Sequence, residues 1–145
     1  MIRCLMRGSL IGLLSMVTVG VSAGVAVAEP CSVTAHLGAR AVLVAGGAAV
    51  DIPVVHTCSP DGVFGGIDLE ATEAVSHGRV AQAFDSTLEV TCDGTEHTSM
   101  VRMTPDNDIA FRRGTAVVRG SLHACDSSGL CTYVLLSDLV PILRP

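Results

Sequence analysis

The chain has 145 residues, a formal charge of −5, six cysteines and no tryptophan, and all nine of its basic residues are arginine. That length holds one domain. The absence of lysine and the net negative charge exclude a P-loop nucleotide site and a lysine-driven grip on nucleic acid or anionic lipid, and a mean hydropathy of +0.55 excludes a disordered tail.

Residues 1–28 read as an export signal. Arg3 and Arg7 form its positive end, Gly8 to Ala28 carries no charge, and Ala26-Val27-Ala28 is a small-x-small cleavage site before Glu29-Pro30. The alternative is an uncleaved anchor helix, since about 20 apolar residues span a bilayer. Gly8, Gly12, Gly20, Gly24, Ser9, Ser15, Ser22 and Thr18 dilute the run and argue for cleavage. A lipoprotein is excluded, because Ala28-Glu29-Pro30 before Cys31 is no lipobox. Cleavage after Ala28 leaves seven arginines against fourteen acidic residues, a formal charge of −7, and no membrane span. The expected location is secreted, outside the cell. Five cysteines remain: Cys31, Cys58, Cys92, Cys125 and Cys131. In an oxidising compartment these read as disulfides rather than as thiol catalysts.

Residues 29–39 read as an N-terminal segment and 40–145 as the folded domain. Arg40 to Val44 is a short apolar strand, and Ala45-Gly46-Gly47 a turn. Val50, Ile52, Val54, His56 and Cys58 recur at period 2 and fall on one face of a strand. Pro53 places that strand at an edge or a bulge. Ser59-Pro60-Asp61-Gly62 is a turn. Ile67, Leu69 and Ala71 alternate with Asp68, Glu70 and Thr72, and Val80 to Phe84 is a further strand. Leu88, Val90 and Cys92 share a strand face opposite Glu89 and Thr91, and Asp93-Gly94 turns the chain. Glu96 to Thr104 follows, with Val101 and Met103 inward; Pro105-Asp106-Asn107-Asp108 breaks it. Thr115 to Cys125 is the longest run, with Ala116, Val118, Gly120 and Leu122 on one face, and Thr132 to Ser137 is the last strand.

Seven to eight short strands with turns between them and no convincing helix predict an all-β, immunoglobulin-like β-sandwich. A small closed barrel is the competing architecture. The aromatic residues after the leader are Phe64, Phe84, Phe111 and Tyr133. A core of Val, Leu, Ile and Ala buries less area per side chain than one with Trp and Phe, so disulfide staples are expected. Five cysteines admit several pairings. Position favours Cys125 with Cys131, which flank a five-residue loop, and Cys58 with Cys92, which end strands on the inward face. Cys31 is left over, either unpaired or available for an intermolecular disulfide.

Candidate chemistry is sparse. His36, His56, His77, His97 and His123 show no metal-ligand spacing, no Cys-x-x-Cys exists, and no metal or cofactor is expected. His56 and His97 can approach one another across strands. There is no G-x-S-x-G elbow, and a hydrolase built on His97 or His123 would need a nucleophile within hydrogen-bond reach. Glu70 and Glu73 fall on opposite strand faces, which is poor geometry for a shared site. Asp106-Asn107-Asp108 lacks the glycine and distal glutamate of a calcium loop. No residue is assigned as catalytic. Arg112 and Arg113, flanked by Arg102 and Arg119, can form a local cationic patch. Phe64, in the Gly-flanked stretch Val63-Phe64-Gly65-Gly66, is a candidate contact residue in a loop, with burial as a core plug the alternative. Met100, Met103 and Phe111 are candidate lining for an apolar cleft between sheets.

Val90-Thr91-Cys92-Asp93-Gly94-Thr95-Glu96-His97-Thr98 and Phe111-Arg112-Arg113-Gly114-Thr115-Ala116-Val117-Val118 together resemble the TCDGTxHT…FRxGxAxV pattern of small exported actinobacterial proteins. The resemblance spans about Val42 to Leu136 and implies an exported sandwich without naming an activity. This chain departs from it at Ser99-Met100-Val101-Arg102-Met103 and in Cys31. A shorter stretch, Cys125 to Asp138, is similar to the end of the neocarzinostatin-type apoproteins and implies a small-molecule carrier as an alternative. The leading expectation is a non-enzymatic exported binding or interaction module whose partner is a protein or the cell envelope. An apolar small molecule is the alternative ligand.

Overall fold

Period-2 alternation builds this chain, and burial follows it closely. A computed structural model describes residues 31–88 and 90–145; the expected leader and its cleavage site lie outside them. Eight strands run in chain order: β1 (Val33–Leu37), β2 (Ala41–Val44), β3 (Ala49–Cys58), β4 (Gly62–Ser76), β5 (Arg79–Thr87), β6 (Glu96–Met103), β7 (Gly114–Asp126) and β8 (Cys131–Leu143). On β3, Val50, Ile52, Val54, His56 and Cys58 are all buried. Ile67, Leu69 and Ala71 on β4 and Ala116, Val118 and Leu122 on β7 are buried in the same way.

The hydrogen-bonded order is β1-β3-β2-β8-β7-β4-β5, with β6 paired to β3. Neighbours pair antiparallel except β2 and β8, which are parallel through Ala41↔Ile142 and Val42↔Leu143. The ladder folds into a disulfide-stapled all-β sandwich. One layer is β6, β3 and the β1/β2 pair; the other is β8, β7, β4 and β5. Val54, Val101 and Met103 of the first layer join Leu69, Val118 and Leu136 of the second in one core. Aliphatic side chains dominate it, and Phe111 is its one aromatic member among the described residues.

Several expectations need correction. The segment 29–39 contains β1, which pairs with β3 from Val33↔Cys58 to Leu37↔Val54, so the sheet starts before residue 40. β3 is not an edge strand, because β6 lies along its other side. Pro53 instead sits in the gap where β1 pairing ends at Val54 and β2 pairing begins at Asp51. A residue without an N–H is tolerated where one ladder stops and the next has not started. Leu88 and Val90 to Cys92 are not in a strand. Leu88 is exposed, while Cys92 is held by its disulfide to Cys58 and Val90 by packing on the core, so the expected shared face reduces to two residues tethered without a ladder. β8 runs on past Ser137 to Leu143. Pro105 to Asp108 does break the strand, and Asp106, Asn107 and Asp108 form an exposed turn. Asp106 Oδ2 accepts from the Phe84 N–H at 2.9 Å, and Asn107 Nδ2 donates to the Val80 carbonyl at 2.8 Å. These bonds cover the free edge of β5.

Candidate functional site

Three surfaces carry side chains that packing alone does not require. The first is the sulfur-bearing end. Cys58 ends β3 and is bonded to Cys92, 34 residues on. Cys125 and Cys131 close the β7–β8 hairpin. Both favoured pairings are therefore present. Cys31 is free and buried, which rules it out as a surface thiol in this fold. His56 and His97 are directly opposite on β3 and β6, with ring centroids 6.0 Å apart. His56 is buried, its Nδ1 lies 3.5 Å from the Val54 carbonyl, and its Nε2 has no partner. His97 Nε2 donates to Asp93 Oδ1 at 2.9 Å. Thr95 donates to the same oxygen from its hydroxyl at 2.7 Å and from its N–H at 2.8 Å. These bonds hold the Asp93 carboxyl at about 2, the Thr95 hydroxyl contributing most, then the Thr95 N–H and His97.

Thr95 Oγ1 is also 3.1 Å from His97 Nε2, so a nucleophile type does lie within reach. The arrangement is nevertheless an Asx turn. A general base must accept the nucleophile's proton, whereas this Nε2 faces a carboxylate and carries the proton itself. Asp93 would have to sit on Nδ1 to orient a base. His36 is exposed on the outward face of β1, opposite Val55, His77 is exposed, and His123 lies against Tyr133 with ring centroids 5.6 Å apart. Among the described residues no group of three or more His, Cys, Asp and Glu is placed to hold a metal ion.

The second surface is an arginine pocket. Arg112 and Arg113 join Arg144, Leu43 and Phe111 around a depression of about 610 Å³. Two hydrogen bonds fix the segment that presents them. The Phe111 N–H donates to the Gly47 carbonyl at 3.0 Å, and the Arg112 N–H donates to Glu73 Oε2 at 2.8 Å. Gly47 has φ +104, and a Cβ there would run into the Phe111 carbonyl, so only glycine lets the two segments meet. Glu73 is a buried carboxylate on the inward face of β4. Burial raises its pKa, opposed by the Arg112 N–H and the Arg112 charge. Arg102 and Arg119 do not flank this patch. Arg102 forms a two-point ion pair with Asp51 across β3 and β6, at 2.8 and 2.9 Å, and it lowers the Asp51 pKa. Arg119 lies on β7, opposite Glu70 of β4. The third arginine, Arg144, was not singled out by sequence; the β2–β8 pairing brings the C-terminal end beside Leu43, and no local spacing signals that.

The third surface is the outer face of β8-β7-β4-β5. Phe84, Val117, Tyr133, Leu135 and Leu139 are exposed on it, Leu135 to 85% and Phe84 to 61%. Val117 pairs with Leu139, and Ser121 with Leu135. Glu70 and Arg119 stand among them, and Glu70 accepts from Gln82 at 3.1 Å. Phe64 lies in β4 itself and is exposed; it is neither a loop residue nor a core plug. The outer face of the other layer differs. Glu96, Thr98 and Arg102 of β6 are exposed there, and Met100 is the only large exposed apolar side chain of that strand. The cleft expected between Met100, Met103 and Phe111 does not form. Met100 and Met103 have opposite parity on β6, so Met103 is core and Met100 faces outward.

No protein-family model matches the chain, and no curated protein matches it. Among solved structures it is similar to a Bordetella pertussis chain solved under the name ApaA, with 16% identity over 81% of this chain and 98% of that one and a TM-score of 0.44. A likeness at that level carries no argument about activity.

Proposed function

We propose that this chain is an exported, non-enzymatic interaction module of immunoglobulin-like type, and that it binds a protein partner through the outer face of β8-β7-β4-β5. The observation that carries the reading is the difference between the two outer faces. One is polar, as a solvated sheet should be. The other exposes Phe84, Val117, Tyr133, Leu135 and Leu139 together. Exposed apolar residues gathered on one sheet face, Val117 beside Leu139 and Tyr133 beside Leu135 with Phe84 across Glu70 and Arg119, mark a docking face more often than a solvated one, and aromatic residues and arginine favour interface centres. Two disulfides and the arginine-only basic set support an oxidising, extracellular setting and kinship with the exported actinobacterial pattern. The test is substitution on the face. Leu135→Asp and Phe84→Ser should abolish capture of one identified cell-envelope or culture-filtrate protein, while the thermal midpoint stays within a few degrees. Met100→Asp, on the other layer, should leave capture intact. Equal capture by all three variants would sink the proposal.

The arginine pocket supports a second reading, a small-molecule carrier for an anion. Phe111 and Leu43 give it an apolar floor and Arg112, Arg113 and Arg144 a cationic rim, so a compound with one acidic group suits it better than a purely apolar one. Saturable binding of an anionic naphthalenesulfonate dye should fall in Arg112→Ala/Arg113→Ala. Dye binding unchanged by that pair of substitutions removes this reading.

A further inference from the structure

The end of the sandwich that carries the long-range disulfide holds a third sulfur. Cys31 Sγ lies 4.0 Å from Cys58 Sγ. Its position is fixed rather than accidental. The Thr132 hydroxyl donates to the Cys31 carbonyl at 2.6 Å, and the Ser32 N–H donates to Ser59 Oγ at 3.1 Å. The Ser59 N–H returns a bond to the Ser32 carbonyl at 2.9 Å, and Ser59 Oγ sits 3.7 Å from Cys31 Sγ. Cys58 is therefore flanked by two sulfurs, one bonded and one in contact. The two flanks differ in access. Cys31 is 2% exposed, whereas Cys92 is half-buried in the irregular segment between β5 and β6.

We propose that Cys31, Cys58 and Cys92 form a thiol–disulfide exchange site, and that Cys92 is its outlet for mixed-disulfide formation with a low-molecular-weight disulfide. In the first step the Cys31 thiolate attacks Cys58 Sγ. The Cys31–Cys58 bond forms, the Cys58–Cys92 bond breaks, and the electron pair leaves on Cys92 as a thiolate. The proton released by Cys31 balances the one Cys92 can take up. The number of disulfides is unchanged, so no oxidant is consumed. In the second step the Cys92 thiolate attacks the small disulfide, a mixed disulfide forms at Cys92, and one small thiolate is released. Chain entropy barely separates the two internal pairings, because they span 27 and 34 residues and loop-closure cost grows only with the logarithm of length. Burial decides the direction of outside chemistry: a soluble disulfide reaches Cys92 before it reaches Cys31. Breaking the Cys58–Cys92 bond also leaves the segment around Cys92 tied to β3 by the Gly94 N–H to Cys58 carbonyl bond at 2.9 Å, so the new thiol stays at a half-buried position.

The experiment is peptide mapping of the folded full-length chain after incubation with oxidised glutathione and acid quenching; Cys4 falls on a separate peptide. Glutathione should appear on Cys92, in molecules that also carry a Cys31–Cys58 disulfide. Cys31→Ser should lose the Cys92 adduct and keep Cys58–Cys92. Cys92→Ser should show Cys31–Cys58 and no adduct at these positions. Glutathione on Cys31 with Cys58–Cys92 intact overturns the proposal. So does a folded wild-type chain that takes no adduct at Cys92 and shows Cys58–Cys92 as the only linkage within the trio.

Discussion

Glu73 shows how one side chain couples burial, positioning and pH. It occupies an inward slot of β4, two residues beyond Ala71, and accepts the N–H that fixes Arg112 beside the arginine pocket. Because burial raises its pKa, the folded chain binds that proton more tightly than the unfolded chain does. Its contribution to stability is complete below the unfolded value and is lost as pH rises through the folded one. Glu73→Gln keeps an acceptor oxygen and removes the charge. The variant should therefore gain stability relative to wild type between pH 4 and pH 7, read from urea midpoints at both values; a constant difference would show that Glu73 does not titrate differently on folding. Asp93 has the opposite sign. Its carboxyl is held at about 2, so its contribution is complete above about pH 4, near the unfolded aspartate value, and lost as pH falls toward 2. Asp93→Asn should flatten the acid limb of the stability profile in that window. Extending the Ile67, Leu69, Ala71 alternation by one step predicts that Glu73 points inward. What alternation does not show is the partner, since Arg112 is 39 residues away.

At the level of strands and staples, burial parity on β3, β4 and β7 was readable because apolar residues recur at the inward positions at period 2, although Val55 and Val117 also place apolar side chains outward. The 88–92 stretch misled for a physical reason. Leu88, Val90 and Cys92 alternate like a strand in sequence, yet Leu88 is exposed, and Val90 and Cys92 face inward through core packing and a disulfide rather than a hydrogen-bonded ladder. The end of β8 misled differently: Leu135 and Leu139 put apolar residues on the outward face, which blurs the alternation that would have marked the strand. The Cys125–Cys131 staple closes a six-residue separation, worth about 2 kcal/mol in the chain-entropy model. Cys125→Ala/Cys131→Ala should cost about that much in a denaturant titration, with the far-ultraviolet spectrum unchanged. Gly120 is a more demanding position. It faces Leu69 across β4 and β7, and a Cβ there would collide with the Asp68 carbonyl. Gly120→Ala should destabilise by about 2 kcal/mol or more, since backbone, unlike a side-chain tip, cannot move aside.

Across the whole molecule, function was the least legible level. Phe84, Val117, Tyr133, Leu135 and Leu139 are spread over three strands, and only the order β8-β7-β4-β5 places them on one surface. Phe64 was found from its glycine neighbours, but its location in a strand depends on the β4–β7 register. The arginine pair was visible as a dipeptide, whereas Arg144 joins it through long-range pairing. In each case local pattern supplies the residue type and non-local topology supplies the site. The claim that the apolar outer face is where a partner docks is tested most directly by site-specific photo-crosslinking. A photoreactive residue is placed at Leu135 in one variant and at Met100, on the polar layer, in the other, and each is irradiated in the native culture filtrate and cell envelope. A single adduct of one identified protein from Leu135, with none from Met100, is the predicted result. Equal crosslinking from both positions, or none from Leu135, would contradict it.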